Sequence, residues 1–389
     1  MACFRRERSG ANPNWGGRVD IGGRPYILHR MRRIFLMAAL ALLAAGCASN
    51  PNSRLETTTP MLSPAQVAEL QKNTKTPEEL GFQMQVSENG VGFAGVNLIE
   101  AHEDVTVPLV EMPSDHPYEP GGQYRAPVIV ATVNGTAGVR VMLDSGSNRN
   151  LFGYTLAHSL GIPLIAGLKP VTGYGIGGSV EDYIALVPTM RIGSIELQKM
   201  VAVVGADAQV LSFTRGGNVQ MMLLGVNALR RLSYLTIDNL HGKMIFGAHE
   251  AYLPDDTLKF LTTAPLHWLG DLPAVDISID GREAVNCILD TGGDYGMILP
   301  RTRAIELGYW KPGKGEVTVP GGVAGASLAA SYEIREAKIG DAIFSRVAGR
   351  TGLVGPDIGG GQAVFLGDAV LRSYRVTFDF QRHTLWLEK

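Results

Sequence analysis

Two short stretches of this 389-residue chain carry the residue types that could do chemistry: VMLDSGSNRN at 141–150 and NCILDTGGDY at 286–295. In each, an apolar run that reads as a buried strand ends in an aspartate, a hydroxyl residue and a glycine, which force a tight turn carrying a carboxylate. The two aspartates, Asp144 and Asp290, lie 146 positions apart. Either one alone is an ordinary strand end, since Asp, Ser, Thr and Gly are common turn residues. Together they could do more. Two carboxylates held a few ångströms apart cannot both ionise, so they share one proton, with one apparent pKa depressed and the other raised. Such a pair offers a base to activate water and an acid to protonate a carbonyl oxygen or a departing nitrogen. That is what amide hydrolysis needs in the absence of a metal or a nucleophile. Gly146 and Gly292, two residues on, let backbone approach closely and aim each carboxylate out of its turn.

The elements that must position these turns recur with them. Ahead of the first stands PVIVATVNGTAGVRVMLD and ahead of the second LPAVDISIDGREAVNCILD. Both read as a strand, an Asn-Gly or Asp-Gly hairpin turn, and a second strand leading into the aspartate. After them come LFGYTLAHSLG (151–161) and ILPRTRAIELG (298–308), each a short helix candidate closed by glycine. Gly-rich segments follow, VTGYGIGGSV (171–180) and VTVPGGVAGAS (317–327), and then an apolar pair meets glycine in LLGVNAL and FLGDAVL. Last, YLTID (234–238) and YRVTFD (374–379) each open a final strand pair. This fixed order predicts a tandem duplication.

On these motifs each half resembles one lobe of an aspartic protease, closest to the retropepsin-like families of bacteria, and the whole resembles a single-chain, two-lobed enzyme. The family pattern is an apolar strand, Asp-Thr/Ser-Gly-Ser/Ala, a Gly-rich flap, and apolar-apolar-Gly before a helix. LDSGS, GYGIGG and LLGVNAL match it in the first half, and LDTGG, PGGVAG and FLGDAVL in the second. The resemblance implies a mostly β fold of two homologous lobes related by a pseudo-twofold axis. It implies an endopeptidase acting on extended polypeptides through an Asp144/Asp290 dyad. Ser145 and Thr291 would hydrogen-bond across the pseudo-twofold and hold the loops rigid. The Gly-rich segments would be flaps over the substrate, with Tyr174, Gly175, Gly177 and Gly178 in the first and Gly321 and Gly322 in the second. Gly293 departs from the pattern, where Ser or Ala is usual, and Asp294 adds a carboxylate beside it. If Asp294 faces the dyad, it raises the pair's upper apparent pKa. A duplicated lipoprotein with weak or absent activity that binds peptides or partners is the alternative.

The rest of the chain sets location and boundaries. From Met31 the sequence runs MRRIFLMAALALLAAGCASN: two arginines, an apolar run too short to span a bilayer comfortably, and small residues before Cys47. It resembles a bacterial lipoprotein signal, which implies lipidation of Cys47 and an anchor in the outer membrane, facing the periplasm. Residues 1–30 are expected to lie upstream of the true start. The predicted organisation is then a signal at 31–46, a tether at 47–80, a strand and hairpin extension at 81–124, a first lobe at 125–248, a linker at 249–264 and a second lobe at 265–389. Residues 1–46 hold eight arginines and two acids, so the remainder carries 27 basic and 35 acidic side chains, a net charge of −8. No basic excess is left to meet nucleic-acid phosphates. Cys287 is then the lone cysteine of the mature chain and reads as a small buried hydrophobe. The eight histidines show no HxxxH or HExxH spacing, there is no GxSxG elbow, and no metal or cofactor is expected. The sequence leaves the oligomeric state open, with a monomer favoured.

Overall fold

The computed structural model describes residues 61–87, 90–110, 126–175, 178–211, 220–282, 285–319, 327–352 and 362–389. The signal segment, Cys47, Gly177, Gly321 and Gly322 lie outside them. The chain is mostly β, built on a ten-stranded, an eight-stranded and a six-stranded sheet with a separate two-stranded hairpin. Among the described residues no helix is long and apolar enough to cross a membrane.

In the ten-stranded sheet, Val128–Val133 and Thr136–Asp144 form an antiparallel hairpin. Asn134 (φ 46°) and Gly135 (φ 81°) make the left-handed turn that the Asn-Gly pair predicts. Met221–Gly225 runs parallel to Thr136–Asp144 and brings Gly225 level with Asp144. Leu151–Gly153 pairs with Met221–Gly225 on one side and Ile195–Gly205 on the other. The eight-stranded sheet uses the same scheme. Leu272–Ile279 and Val285–Asp290 form the hairpin, turning at Asp280 (φ 50°) and Gly281 (φ 70°). Val364–Gly367 runs parallel to Val285–Asp290, with Gly367 level with Asp290. Met297–Pro300 pairs with Val364–Gly367 and with Ala342–Gly352. The strands entering each turn are apolar on both faces because both faces are covered, and Val141, Met142, Cys287, Ile288 and Leu289 are all fully buried. Cys287 is a core residue whose thiol is held protonated by burial.

The six-stranded sheet joins the two halves of the chain. Its central pair, Tyr234–Asp238 and Arg375–Asp379, is antiparallel, with Thr236 opposite Thr377 and their buried hydroxyls 2.8 Å apart. Each central strand turns back on a partner, Lys243–Gly247 or Thr384–Glu388. Buried Arg375 lies 2.8 Å from the carboxylate of Asp255, with Asp238 and Glu388 close by, and Tyr252 donates to Glu388. The charges in this sheet are therefore paired, as burial demands.

The segments outside the repeated motifs contribute structure of their own. The tether predicted over 47–80 does not extend through its second half. Pro64–Gln71 is a helix with a Ser63–Gln66 capping box, Leu70 enters the core, and Thr74–Lys75 pairs with Leu164–Ile165. The extension, whose place the sequence leaves open, adds strands: Leu98–Glu100 extends the first sheet and Val105–Pro108 the six-stranded one. Its hairpin, Gln83–Ser87 with Gly90–Ala94, is flanked by Phe82 and Val96, which pack on Ile165 and Leu186. The predicted linker at 249–264 carries the edge strand Phe260–Pro265 and the buried Tyr252. The helix candidates at 151–161 and 298–308 each begin as a strand, Leu151–Gly153 or Met297–Pro300, before the helix Tyr154–Ser159 or Arg301–Glu306.

Candidate active site

Both aspartates sit at the last residue of their strands, and the two turns interlock. Ser145 N–H donates to Thr291 Oγ1 (3.0 Å) and Thr291 N–H to Ser145 Oγ (3.1 Å). Each hydroxyl then donates across to the opposite strand, Ser145 Oγ to the Leu289 carbonyl (2.5 Å) and Thr291 Oγ1 to the Leu143 carbonyl (3.0 Å). These four buried bonds tie one turn to the other. Thr291→Val keeps the shape of the side chain but strands the Ser145 N–H and the Leu143 carbonyl. It should lower stability by about 2 to 4 kcal/mol in urea denaturation; a loss under about 0.5 kcal/mol would mean the bonds contribute nothing net.

The glycines explain how close the carboxyls come. A Cβ built on Gly146 would lie 2.5 Å from Asp290 Cγ, and one on Gly292 would lie 2.6 Å from Asp144 Cγ. Each glycine therefore makes room for the aspartate of the opposite turn. Asp144 accepts from Gly146 N–H (2.9 Å) and Asp290 from Gly292 N–H (3.1 Å), which fixes both side chains. Both residues are under 10% exposed, and each carboxyl is within hydrogen-bonding reach of the other. Burial raises the pKa of both. The Asp290 charge raises Asp144 further, well above the carboxylate range. For Asp290, hydrogen bonds from Tyr295, Asp144 and the Gly292 and Gly293 amides partly offset the burial.

The remaining candidates divide by position. Val171–Gly175 and the long strand Gly178–Ile192 form a hairpin, with Tyr174 half exposed opposite Ser179 and Gly175 opposite Gly178. Glu316–Val319 pairs with Ser327–Ile339 in the corresponding place of the second sheet. Arg149 donates to the Thr172 carbonyl (2.9 Å), which joins the first turn to the base of its hairpin. Asp294 is half-buried beside the second turn.

Several residues here escaped the sequence reading. Asn150, fully buried, accepts from Gly225 N–H (3.0 Å) and donates to the Val201 carbonyl (2.8 Å), locking the first turn to the strand beside it. Tyr295 donates to Asp290 Oδ2. Asp368, 1% exposed, feels the Asp290 charge. The glycine of each apolar-apolar-Gly motif is forced by packing: a Cβ on Gly225 would lie 2.8 Å from the Ser147 carbonyl oxygen, and one on Gly367 would lie 2.7 Å from that of Gly293.

A strand ending in Asp-Ser-Gly, a hairpin after it, and an apolar strand ending in glycine alongside are the features of a retropepsin-like aspartyl protease domain. Residues 129–228, which hold all three features, match the family model described as Aspartyl protease. No curated protein matches the chain closely enough to count as a relative.

Proposed function

We propose that this chain is a single-chain, two-lobed aspartic endopeptidase, anchored to the bacterial outer membrane through lipidated Cys47, with Asp144 and Asp290 as its catalytic pair. One observation carries the reading: two buried carboxyls from turns 146 residues apart face each other, each against the other turn's glycine. The recurrence of strand order and register in the two large sheets supports a duplicated origin and a pseudo-twofold through the Thr236–Thr377 contact. In the reaction, the ionised carboxylate takes a proton from water as its oxygen attacks the peptide carbonyl carbon. The protonated carboxyl gives its proton to the carbonyl oxygen, and the departing nitrogen is protonated as the C–N bond breaks. The hairpin carrying Tyr174 would close over the extended peptide.

The test is to purify the full chain in detergent from its native host. It should cleave a diverse peptide mixture at acidic pH, a statine-type mimic should stop it, and metabolic fatty-acid label should enter the chain at Cys47. Peptide binding without cleavage would favour the non-catalytic peptide-binding lipoprotein instead, and an unlabelled chain would remove the anchor.

A further inference from the structure

The two turns share Asp, a hydroxyl residue and Gly, differ from the third residue past the aspartate, and part in their contacts at the fifth. In the first turn that residue is Arg149, which reaches away from Asp144 to the Thr172 carbonyl and lies 3.9 Å from Asp182. In the second it is Tyr295, whose phenol donates to Asp290 Oδ2. The ring is buried and lies over Gly293, where a Cβ would collide with Cε1 and Cζ of the tyrosine. The unusual glycine and the tyrosine are thus one feature. The space a side chain at 293 would occupy is taken by a ring whose hydroxyl reaches the carboxyl. Ser147, the first turn's counterpart of Gly293, sends its hydroxyl to the Arg149 carbonyl instead (3.0 Å).

We infer that Tyr295 is a positioning residue that breaks the symmetry of the pair, holding Asp290 as the ionised acceptor and leaving the shared proton on Asp144. The inference rests on the peptidase reading for its consequence, but its geometry stands apart from it. Asp290 has both oxygens engaged as acceptors, Oδ1 by Gly292 N–H and Oδ2 by the phenol. Such bonds favour the charged form. Burial and the two nearby aspartates hold the phenol protonated far above its usual range, so it remains a donor wherever the pair titrates. Charged groups at this corner among the described residues include the Arg350 guanidinium, 5.3 Å from the centre of the Tyr295 ring, Asp368, which has Arg372 nearby, and half-buried Asp294, next to Tyr295 in the chain. With Asp290 ionised, the water's proton goes to Asp290 and the carbonyl oxygen is protonated by Asp144.

The experiment compares wild type, Tyr295→Phe and Gly293→Ala by the pH dependence of kcat/KM and by carbon-13 NMR titration of aspartate-labelled protein. Removing the phenol raises the lower apparent pKa of the pair, so the acid limb should move up by about one pH unit, with the alkaline limb little changed. Gly293→Ala displaces the ring, and its Cβ would also lie 2.7 Å from Asp290 Oδ2, so it should move the limb in the same direction and lower the rate as well. A merely structural loss would lower the whole profile without moving the limb. An unmoved limb and an unmoved carboxyl titration in a folded Tyr295→Phe, or in Gly293→Ala should the first variant not fold, overturn the inference. The titration does not require turnover. If it shifts while the wild type cleaves no peptide, the role of Tyr295 stands and the peptidase reading falls.

Discussion

Asp144→Asn and Asp290→Asn should each abolish peptide turnover, by about 10³-fold or more, while the chain still unfolds cooperatively. The fold survives because neither charge stabilises it. Burial disfavours ionisation of both groups, and an amide of the same size can still accept from Gly146 N–H or Gly292 N–H. Turnover does not survive, because one group must take a proton while the other gives one, and an amide can do neither. The double variant should be scarcely worse than either single one, since the two carboxyls act as a unit. Measured kcat/KM for the three variants decides it. If Asp290→Asn kept near-normal turnover while Asp144→Asn lost it, a site formed between two copies of the first turn would be the better account. Activity in both single variants would locate the chemistry elsewhere.

Much of this was legible because the signals are local. A two-residue hairpin turn, an apolar run and an Asp-hydroxyl-Gly triplet are each written in consecutive residues, and their recurrence in the same order points to a long-range register that one occurrence alone would not. Boundaries at the rim were not legible. Thr74–Lys75 and Phe260–Pro265 are strands because a sheet edge is there to pair with, while their composition reads as tether or loop. The starts of the two helix candidates misread for the same reason: Leu151–Gly153 and Met297–Pro300 carry helix-compatible residues but lie between two strands that need a partner. Within the site, Asp294 is visible in the sequence as an extra carboxylate because it adjoins the motif, whereas Asp368, which feels the Asp290 charge, lies 78 residues on. Only the packing of Gly367 against the second turn brings it there. Tyr295 left a readable trace, a glycine where Ser or Ala is usual and a phenol two positions later, but the geometry was needed to join the two.

Asp368→Asn should stabilise the protein, and by an amount that grows with pH. Asp368 opens the short helix Asp368–Leu371 directly after Gly367 and is 1% exposed, and its Oδ2 has no hydrogen-bond partner among the described residues. Burial pushes its pKa up to about 8, the nearby Asp290 charge adds to that, and Arg372 offsets only part. In the unfolded chain the same carboxyl ionises near pH 4. Between these two values the native state holds a proton that the unfolded state has released. Stability therefore falls as pH rises through this window, by up to about 1.4 kcal/mol per pH unit from this one group. Asparagine is neutral throughout and carries no such loss. The variant and the wild type should unfold at nearly the same urea concentration at pH 4. At pH 7.5 the variant should be more stable by about 3 to 5 kcal/mol. Its backbone bonds, Asp368 N–H to the Gly293 carbonyl (2.6 Å) and Arg372 N–H to the Asp368 carbonyl (2.8 Å), are unaffected by the change. Turnover near pH 5 should be preserved as well, because the wild-type carboxyl is already uncharged there. A stability gap that stays flat from pH 4 to 7.5 would mean that Asp368 ionises in the folded protein much as it does in the unfolded chain.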